Sequence, residues 1–523
     1  MLRAAALSLT CAVMAFTVAA CGASSGSGGD ADPASLVPAG AALYAEAAVQ
    51  PTGDRREDAL AAAGKLLRTD DPAGKLRAEI DKALAEEGDG FTWEKDFAPW
   101  LGEDAGVWAS NLEADEPDYA VIVASKDAEA AKTALTRFKE ADETTGPYTK
   151  RSHAGVDYEV DAENTAIGVV GDFVVIGTEK GFQRTAEMDD GGDSLADADR
   201  YKDAVGDLDD GSLGHYYVDV NSIIAAAGKA DPEAAKQLEQ AKAFFPVDKL
   251  GPITGSFQAD GDGMSLDTVL TGVPEGPFRD LIALSSGSGS ELLAELPGDA
   301  WAAFASPNVG ESSQSLFNQF AGALGGAAIA AQVQQATGLN LEQDVFSWIG
   351  DIGVYARGTT EADLNGALVI ESTDDAKAGA AFAKLVGLIG KETGTPAEPV
   401  RIDGAQAAFA VVAPGAPQQV ILARGEGRVV AAYGEQAAKD ALQPSAKLGD
   451  AESYGDAEDV LGDGLTPAFL LSMDSVIKLV DAIGDTDADW DQAKPYLAAI
   501  GVITSGGKVD DDRLQSRLAV SLK

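Results

Sequence analysis

Thiols, imidazoles and basic side chains are all scarce in this chain. Two Cys and two His occur among 523 residues, and 39 Lys+Arg stand against 85 Asp+Glu, a formal net charge of −46. Nucleic-acid affinity comes mostly from clustered Lys and Arg, so this balance excludes nucleic acid as a partner. Both cysteines, Cys11 and Cys21, lie at the extreme N-terminus. The body therefore has no thiol for a disulfide, a redox motif or a Cys-based zinc cage. Two His without Cys do not make the usual three-ligand catalytic zinc site either. No cofactor and no metal is expected. Long apolar runs are short of what a membrane span needs: Phe320 to Ala331 is twelve residues without a polar side chain, against about 20 for a spanning helix. That run reads as a buried helix in which Gly322 and Gly326 let backbones approach, with a mobile lid or the wall of an apolar cavity as the alternative.

What is present is a core. A hydrophobic fraction of 45%, with 17 Phe, 11 Tyr and 6 Trp, places the chain among globular proteins, and its length suits roughly two to four domains. Residues 1–20 carry Arg3 and then an apolar run ending on small residues, the pattern of a secretory signal. Val18-Ala-Ala-Cys21 follows the bacterial lipobox, in which the Cys accepts a lipid and becomes the new N-terminus. Cys21 is accordingly the predicted lipidation site. Residues 21–35 form the lipidated Cys and a Gly/Ser tether, whose flexible part reaches roughly 20 Å.

The remainder reads as one domain written twice. Asp96-Phe-Ala-Pro-Trp-Leu-Gly102 returns as Asp344-Val-Phe-Ser-Trp-Ile-Gly350, and each leads into a Gly-Val-aromatic strand, Gly106 to Trp108 and Gly353 to Tyr355. Pro38 to Tyr44 answers to Pro297 to Ala303, Tyr119 to Asp127 to Ala367 to Asp375, and Val218 to Ile224 to Leu471 to Ile477, all offset by about 250 residues. This predicts a first repeat over 36–275, a Gly/Pro/Ser-rich linker over 276–292 and a second repeat over 293–523.

Short β-branched or aromatic runs at Leu43 to Val49, Tyr119 to Ala124, Ala166 to Val170, Phe173 to Gly177, Tyr216 to Val220, Ile253 to Gln258 and Leu266 to Leu270 predict strands. Turns such as Gly171-Asp172 join them as hairpins. Helical spacing appears at Leu76, Ile80 and Leu84, and from Ala128 to Phe138 behind Asp127; Asn221 and Asp474 fall where N-caps would. The fold class expected is α+β, a tandem duplication in which each copy is a mainly antiparallel twisted sheet with helices packed on one face.

The Pro-led opening before an aromatic strand, the Trp-Leu-Gly and Trp-Ile-Gly segments at Trp100 and Trp348, and the lipobox together resemble the DUF3352 family of uncharacterised bacterial envelope proteins. The resemblance implies a secreted or lipid-anchored protein of unassigned activity and brings no catalytic residues with it. Each Trp-x-Gly segment reads structurally, as a buried indole with a Gly at a tight turn.

Chemistry is sparse. His153 lies in a polar strand or turn and His215 just before Tyr216-Tyr217-Val218, where ordinary strand-end roles are expected; no G-x-S-x-G elbow and no phosphate-binding G-x-x-x-x-G-K-[ST] loop occurs. Asp485-Thr-Asp487-Ala-Asp489-Trp-Asp491 alternates carboxylates as a calcium loop does, but Trp490 stands at its sixth position and Tyr496 at its twelfth, so a solvated helix-capping loop is the reading kept. No catalytic residue is assigned and the chain is not read as an enzyme. The expectation is an exported protein, lipid-anchored to the outer face of the cytoplasmic membrane, that binds or scaffolds through an acidic surface. The alternative is a carrier or sensor of a hydrophobic ligand held between sheet and helices. The partners implied are the membrane through the Cys21 anchor and a protein or a hydrophobic small molecule.

Overall fold

A computed structural model describes residues 31–523 apart from 87–89, 113–116, 142–145, 207, 209–210, 231–232, 234–235, 237–238, 240–241, 243–245, 286, 324–325, 361, 394–395, 412–417 and 485–487. The chain is α+β, with antiparallel strand pairing throughout its named ladders. It divides into two compact units. The first runs to Asp262 and includes Thr268–Thr271; the second takes Gly263–Asp267 and Gly272–Lys523.

The first unit contains β1 (Leu43–Ala48), β2 (Leu101–Ser110), β3 (Asp118–Ser125), β4 (Thr149–His153), β5 (Val156–Val160), β6 (Thr165–Val170), β7 (Phe173–Thr178), β8 (Gly214–Val218) and β9 (Ile253–Ala259). Its strands pair in the order β9-β8-β1-β2-β3-β7-β6-β5-β4. Strand β10 (Gly263–Leu270) falls across the division. The second unit contains β11 (Ala302–Ser306), β12 (Ile349–Arg357), β13 (Asn365–Ser372), β14 (Glu398–Pro399), β15 (Ala407–Val411), β16 (Val420–Arg424), β17 (Arg428–Tyr433), β18 (Pro467–Ser472), β19 (Ile500–Asp510) and β20 (Arg513–Leu522). Their order is β20-β19-β18-β11-β12-β13-β17-β16-β15-β14.

The hairpin anticipated at Gly171-Asp172 joins β6 to β7, with Gly171 at φ +54°, where a side chain would be strained. The helix Pro72–Glu86 buries Ile80 and Leu84, as their spacing requires. Asp127 caps the helix Ala128–Ala141: its Oδ1 accepts from the amides of Glu129 and Ala130, both at 3.0 Å. Capping before the helix Val220–Ala230 differs from expectation. Asp219, not Asn221, accepts the amides of Asn221 (3.1 Å) and Ser222 (3.4 Å), and Asn221 lies inside the first turn. Asp474 likewise lies inside the helix Met473–Ile483, whose N-cap is Ser472. At the first of these places the strand ends at Val218, earlier than the run that continues to Val220, so the helix begins sooner.

Helices pack on both faces of each sheet, rather than one. In β3, Ala120, Ile122 and Ala124 face a core completed by Phe182 and Ala186 of the helix Glu179–Asp189, while Val123 faces the opposite cluster of Ile80, Leu84, Ala131 and Leu135. In β7, Val175 and Val174 divide the same way. The second unit repeats this division: Val430 packs with Ala437 and Ala441 of the helix Glu435–Leu442, and Val429 with Ala378 and Phe382 of the helix Asp375–Thr393. The physical reason is the strand composition. Runs such as Ala120-Val-Ile-Val-Ala124 are apolar at both parities, and such strands need cover on both sides.

The Trp-x-Gly segments are matched structural devices. Each follows a single π-helical turn, Trp93–Phe97 and Leu341–Phe346. Trp100 donates its indole N–H to the Asp96 carbonyl at 2.7 Å, and Trp348 donates to the Asp344 carbonyl at 2.8 Å. The Asp side chains close the turns: Asp96 Oδ2 accepts from the Thr92 amide (2.8 Å) and Asp344 Oδ2 from the Asn340 amide (2.9 Å). Each Asp then pairs with a base on the following helix, Asp96 with Arg137 and Asp344 with Lys384. The glycines do not sit at left-handed turns. A Cβ on Gly102 would meet the Ala124 carbonyl oxygen at 2.8 Å, and one on Gly350 the Glu371 oxygen at 3.3 Å, so both serve close strand approach.

Candidate functional site

The first unit gathers a polar cluster on the core face beneath its N-terminal turn. Alternation along β1 puts Tyr44 and Glu46 on one face, and the β1–β8 register sets Tyr44 opposite Tyr217 and Glu46 opposite His215. On β1's other side Glu46 lies opposite Gly106 of β2. A Cβ there would come within 3.0 Å of both Pro33 and the Tyr44 ring, so the glycine leaves room for them. The Tyr44 hydroxyl donates to Glu46 Oε2. From the helix Asp199–Val205, the Tyr201 hydroxyl lies 2.7 Å from His215 Nε2. Ring contacts link Tyr44 to Tyr201 (6.0 Å), Tyr44 to His215 (5.8 Å) and Tyr201 to Tyr217 (5.4 Å).

Burial sets the charge of this cluster. It raises the Glu46 carboxyl to about 7; nearby Asp104 and Asp32 push the same way, while the Tyr44 bond and Arg55 oppose. Burial lowers His215 to about 4. Tyr44 and Tyr201 are raised by burial too. Between about pH 4 and pH 7 the site thus holds a protonated acid beside a neutral imidazole, and it exchanges a proton near neutrality. The second sheet has nothing comparable at the same place in its order: Ala303 lies opposite Leu470.

Sequence reasoning placed His215 at a strand end with no special role and did not single out Glu46. The signal was available in Tyr44-Ala-Glu46-Ala-Ala48, where Glu46 shares the parity of a core tyrosine. His153 is separate from this cluster, on β4, with Nε2 2.8 Å from Glu187 Oε1.

Other candidate residues are dispersed. Cys21, with the signal and most of the tether, lies outside the described residues, as do Asp485 and Asp487; Asp489 and Asp491 belong to the helix Ala488–Leu497. Among the described residues no group of three or more His, Cys, Asp or Glu is arranged to hold a metal ion. Of the Phe320 to Ala331 run, the residues to Ala323 belong to the helix Val309–Ala323 and those from Gly326 to the helix Gly326–Thr337, residues 324–325 lie outside the described ones, and Ile329, at 52% exposed, shows that the run is not buried throughout.

A second feature is apolar. Phe304, Val354 and Leu368 lie directly opposite one another across β11, β12 and β13 and are 41%, 45% and 36% exposed. Phe469 of β18 continues the row beside Phe304. Four strands make this row about 14 Å long.

The Trp–Gly devices that organise both sheets lie within the reach of one family model, which matches residues 2–481 and is described as a protein of unknown function, DUF3352. The chain belongs to the DUF3352 family. No curated protein matches this DUF3352 chain. Among solved structures it is similar to three crystal forms of TP0453. Form IV has 10% identity and a TM-score of 0.24 over 46% of this chain and 80% of that one. Form III has 11% and 0.25 over 50% and 88%, and form I has 13% and 0.24 over 49% and 87%.

Proposed function

We propose that this DUF3352 chain is an exported, lipid-anchored protein of the cell envelope that binds or scaffolds a partner through an acidic surface and is not an enzyme. The observation that carries the acidic surface is where the acids lie. With 85 acids and 39 bases, 85 − 39 = 46 carboxylates remain even if every base is paired. Among the described residues the fully buried acids are Asp96, Asp118 and Asp440, each paired with an arginine, Arg137, Arg184 and Arg357, and Glu46 is half-buried beneath the N-terminal turn. Nearly all of the excess described is therefore at the surface, open to a basic partner or to cations. Among the described residues no helix is long and apolar enough to cross a membrane, and on this reading attachment comes from Cys21. Changing Cys21 to Ala is expected to move the protein from the membrane to the soluble or unprocessed fraction. Unchanged fractionation, with no lipid mass on the N-terminal peptide, would refute the anchor.

We also infer that the two units are tandem copies. The common strand order and the Trp100 and Trp348 devices at the same place in each support this.

The exposed row Phe304–Val354–Leu368 favours a second reading, a carrier or sensor of a hydrophobic ligand. An apolar strip on a sheet face otherwise flanked by helices suits an acyl chain or a similar slender apolar molecule. Titrating the full chain in detergent-free buffer with a fluorescent long-chain fatty acid should show saturable binding, weakened roughly tenfold or more by Val354→Asp. Equal binding by the variant would remove the row as the site.

A further inference from the structure

We propose that Glu46 is a proton-operated latch on the N-terminal turn, holding the point where the tether enters the body when protonated and loosening it when ionised. The inference rests on the anchoring reading only for its consequence, a longer leash at higher pH.

The latch is built from contacts around one carboxyl. The turn Pro33–Leu36 begins with Asp32, whose Oδ1 accepts from the Ala34 amide at 2.8 Å. It packs on β2, β3 and the helix Glu179–Asp189. Its backbone is tied to the segment after that helix by three bonds: Ala39 N–H to the Asp193 carbonyl (2.9 Å), Leu195 N–H to Val37 (2.7 Å) and Ala196 N–H to Ala34 (3.2 Å). Beneath the turn, Pro33 and Tyr44 share the space over Gly106, and Tyr44 holds Glu46.

The charges facing Glu46 make its ionisation unfavourable. Asp32 comes from the turn and Asp104 from β2; opposing them is the cation Arg55, from the helix Gly53–Leu67. Tyr201 from the helix Asp199–Val205 and Tyr217 from β8 are neutral phenols. Arg200 is engaged by Asp219, and Arg184 of the helix Glu179–Asp189 by Asp118. His215 faces Glu46 across the strand pair but is neutral, with Nε2 bonded to Tyr201, and supplies no countercharge. When Glu46 loses its proton, a negative charge sits in low dielectric near Asp32 and Asp104. Release of the turn admits water to that charge and separates it from Asp32, without disturbing the Tyr201–His215 contact.

The sign follows from linkage. Glu46 is raised from 4.5 to about 7 in the closed form. Its contribution to closure is complete below 4.5 and is lost as pH rises through 7. Opening should increase by up to about tenfold per pH unit across that window.

Amide hydrogen exchange on the full chain in detergent, corrected for intrinsic rates, reads this at Ala39, Leu195 and Ala196. Protection at these amides should fall between about pH 5 and pH 7, while amides of β12 and β13 lack that change. In Glu46→Gln the fall should vanish. A wild-type profile without the fall, or the same fall in Glu46→Gln, overturns the latch. If Glu46→Gln loses protection throughout β1 and β8, Asp32→Asn decides: it keeps a capping oxygen and removes the repelling charge, so the fall should shrink, and an unchanged fall overturns the proposal. A latch that follows Glu46 in a protein without lipid on Cys21 would separate failure of the anchor from failure of the latch.

Discussion

Replacing Arg357 with Ala is expected to cost the second unit about 3–5 kcal/mol. Arg357 is 7% exposed and its guanidinium has three partners: Asp440 Oδ2 at 2.7 Å, Asp299 Oδ1 at 3.2 Å and Asn365 Oδ1 at 2.6 Å. Asp440, on the helix Glu435–Leu442, is buried to the same degree and also accepts from Gln436. Truncating the arginine leaves Asp440 as a buried carboxylate without a countercharge. That uncompensated charge, rather than the worth of the pair itself, sets the size of the loss. A further result follows. The double change Arg357→Met with Asp440→Leu should come back to within about 1–2 kcal/mol of the parent, because apolar groups of similar size replace buried pairs at little cost. Urea unfolding of the three proteins checks both. A loss below about 1 kcal/mol for Arg357→Ala would show that water reaches Asp440.

The second large effect is a pair of opposite pH slopes. Global unfolding exposes both Glu46 and His215. Glu46, raised from 4.5 to about 7, gives stability that is complete below 4.5 and is lost as pH rises through 7. His215, lowered from 6.5 to about 4, gives stability that is complete above 6.5 and is lost as pH falls through 4. Between 4.5 and 6.5 the two slopes have opposite signs and cancel. Each single variant should uncover the other group. Relative to the parent, Glu46→Gln should gain stability with rising pH by up to about 1.4 kcal/mol per unit in this window, and His215→Gln should lose it at a similar rate. Taking differences from the parent removes the background of the other carboxylates. Parallel curves for all three proteins would mean that neither group is held away from its ordinary ionisation.

Positions in this chain differ in how far the sequence reveals them. Asp96, Trp100 and Gly102 stand out in the sequence because they return as Asp344, Trp348 and Gly350, and the structure explains why these types are needed: a carboxylate to close a π-helical turn, an indole to bond its carbonyl, and a glycine to admit the next strand. Glu46 and His215 have no such repeat to mark them, and their neighbours along the chain are ordinary. Nothing beside Arg357 in the sequence marks it either. Its partner Asp440 lies on a helix that arrives after five further strands.

From the sequence alone came the properties that depend on near neighbours or on totals. Strand positions such as 118–125 and 173–178 follow from local apolar runs, the helix at 128–141 from its spacing and its Asp127 cap, and the excess of acids over bases from composition. The tertiary structure alone decided what depends on register between distant strands and on which side chains share a low-dielectric space. It placed helices on both sheet faces, moved a helix cap from Asn221 to Asp219, exposed Ile329, and set Glu46 opposite His215 under the turn at Pro33. Alternation tells which face a residue takes within its own strand. Only the packing of the whole sheet fixes which residue of another strand it meets there, and how much water remains between them.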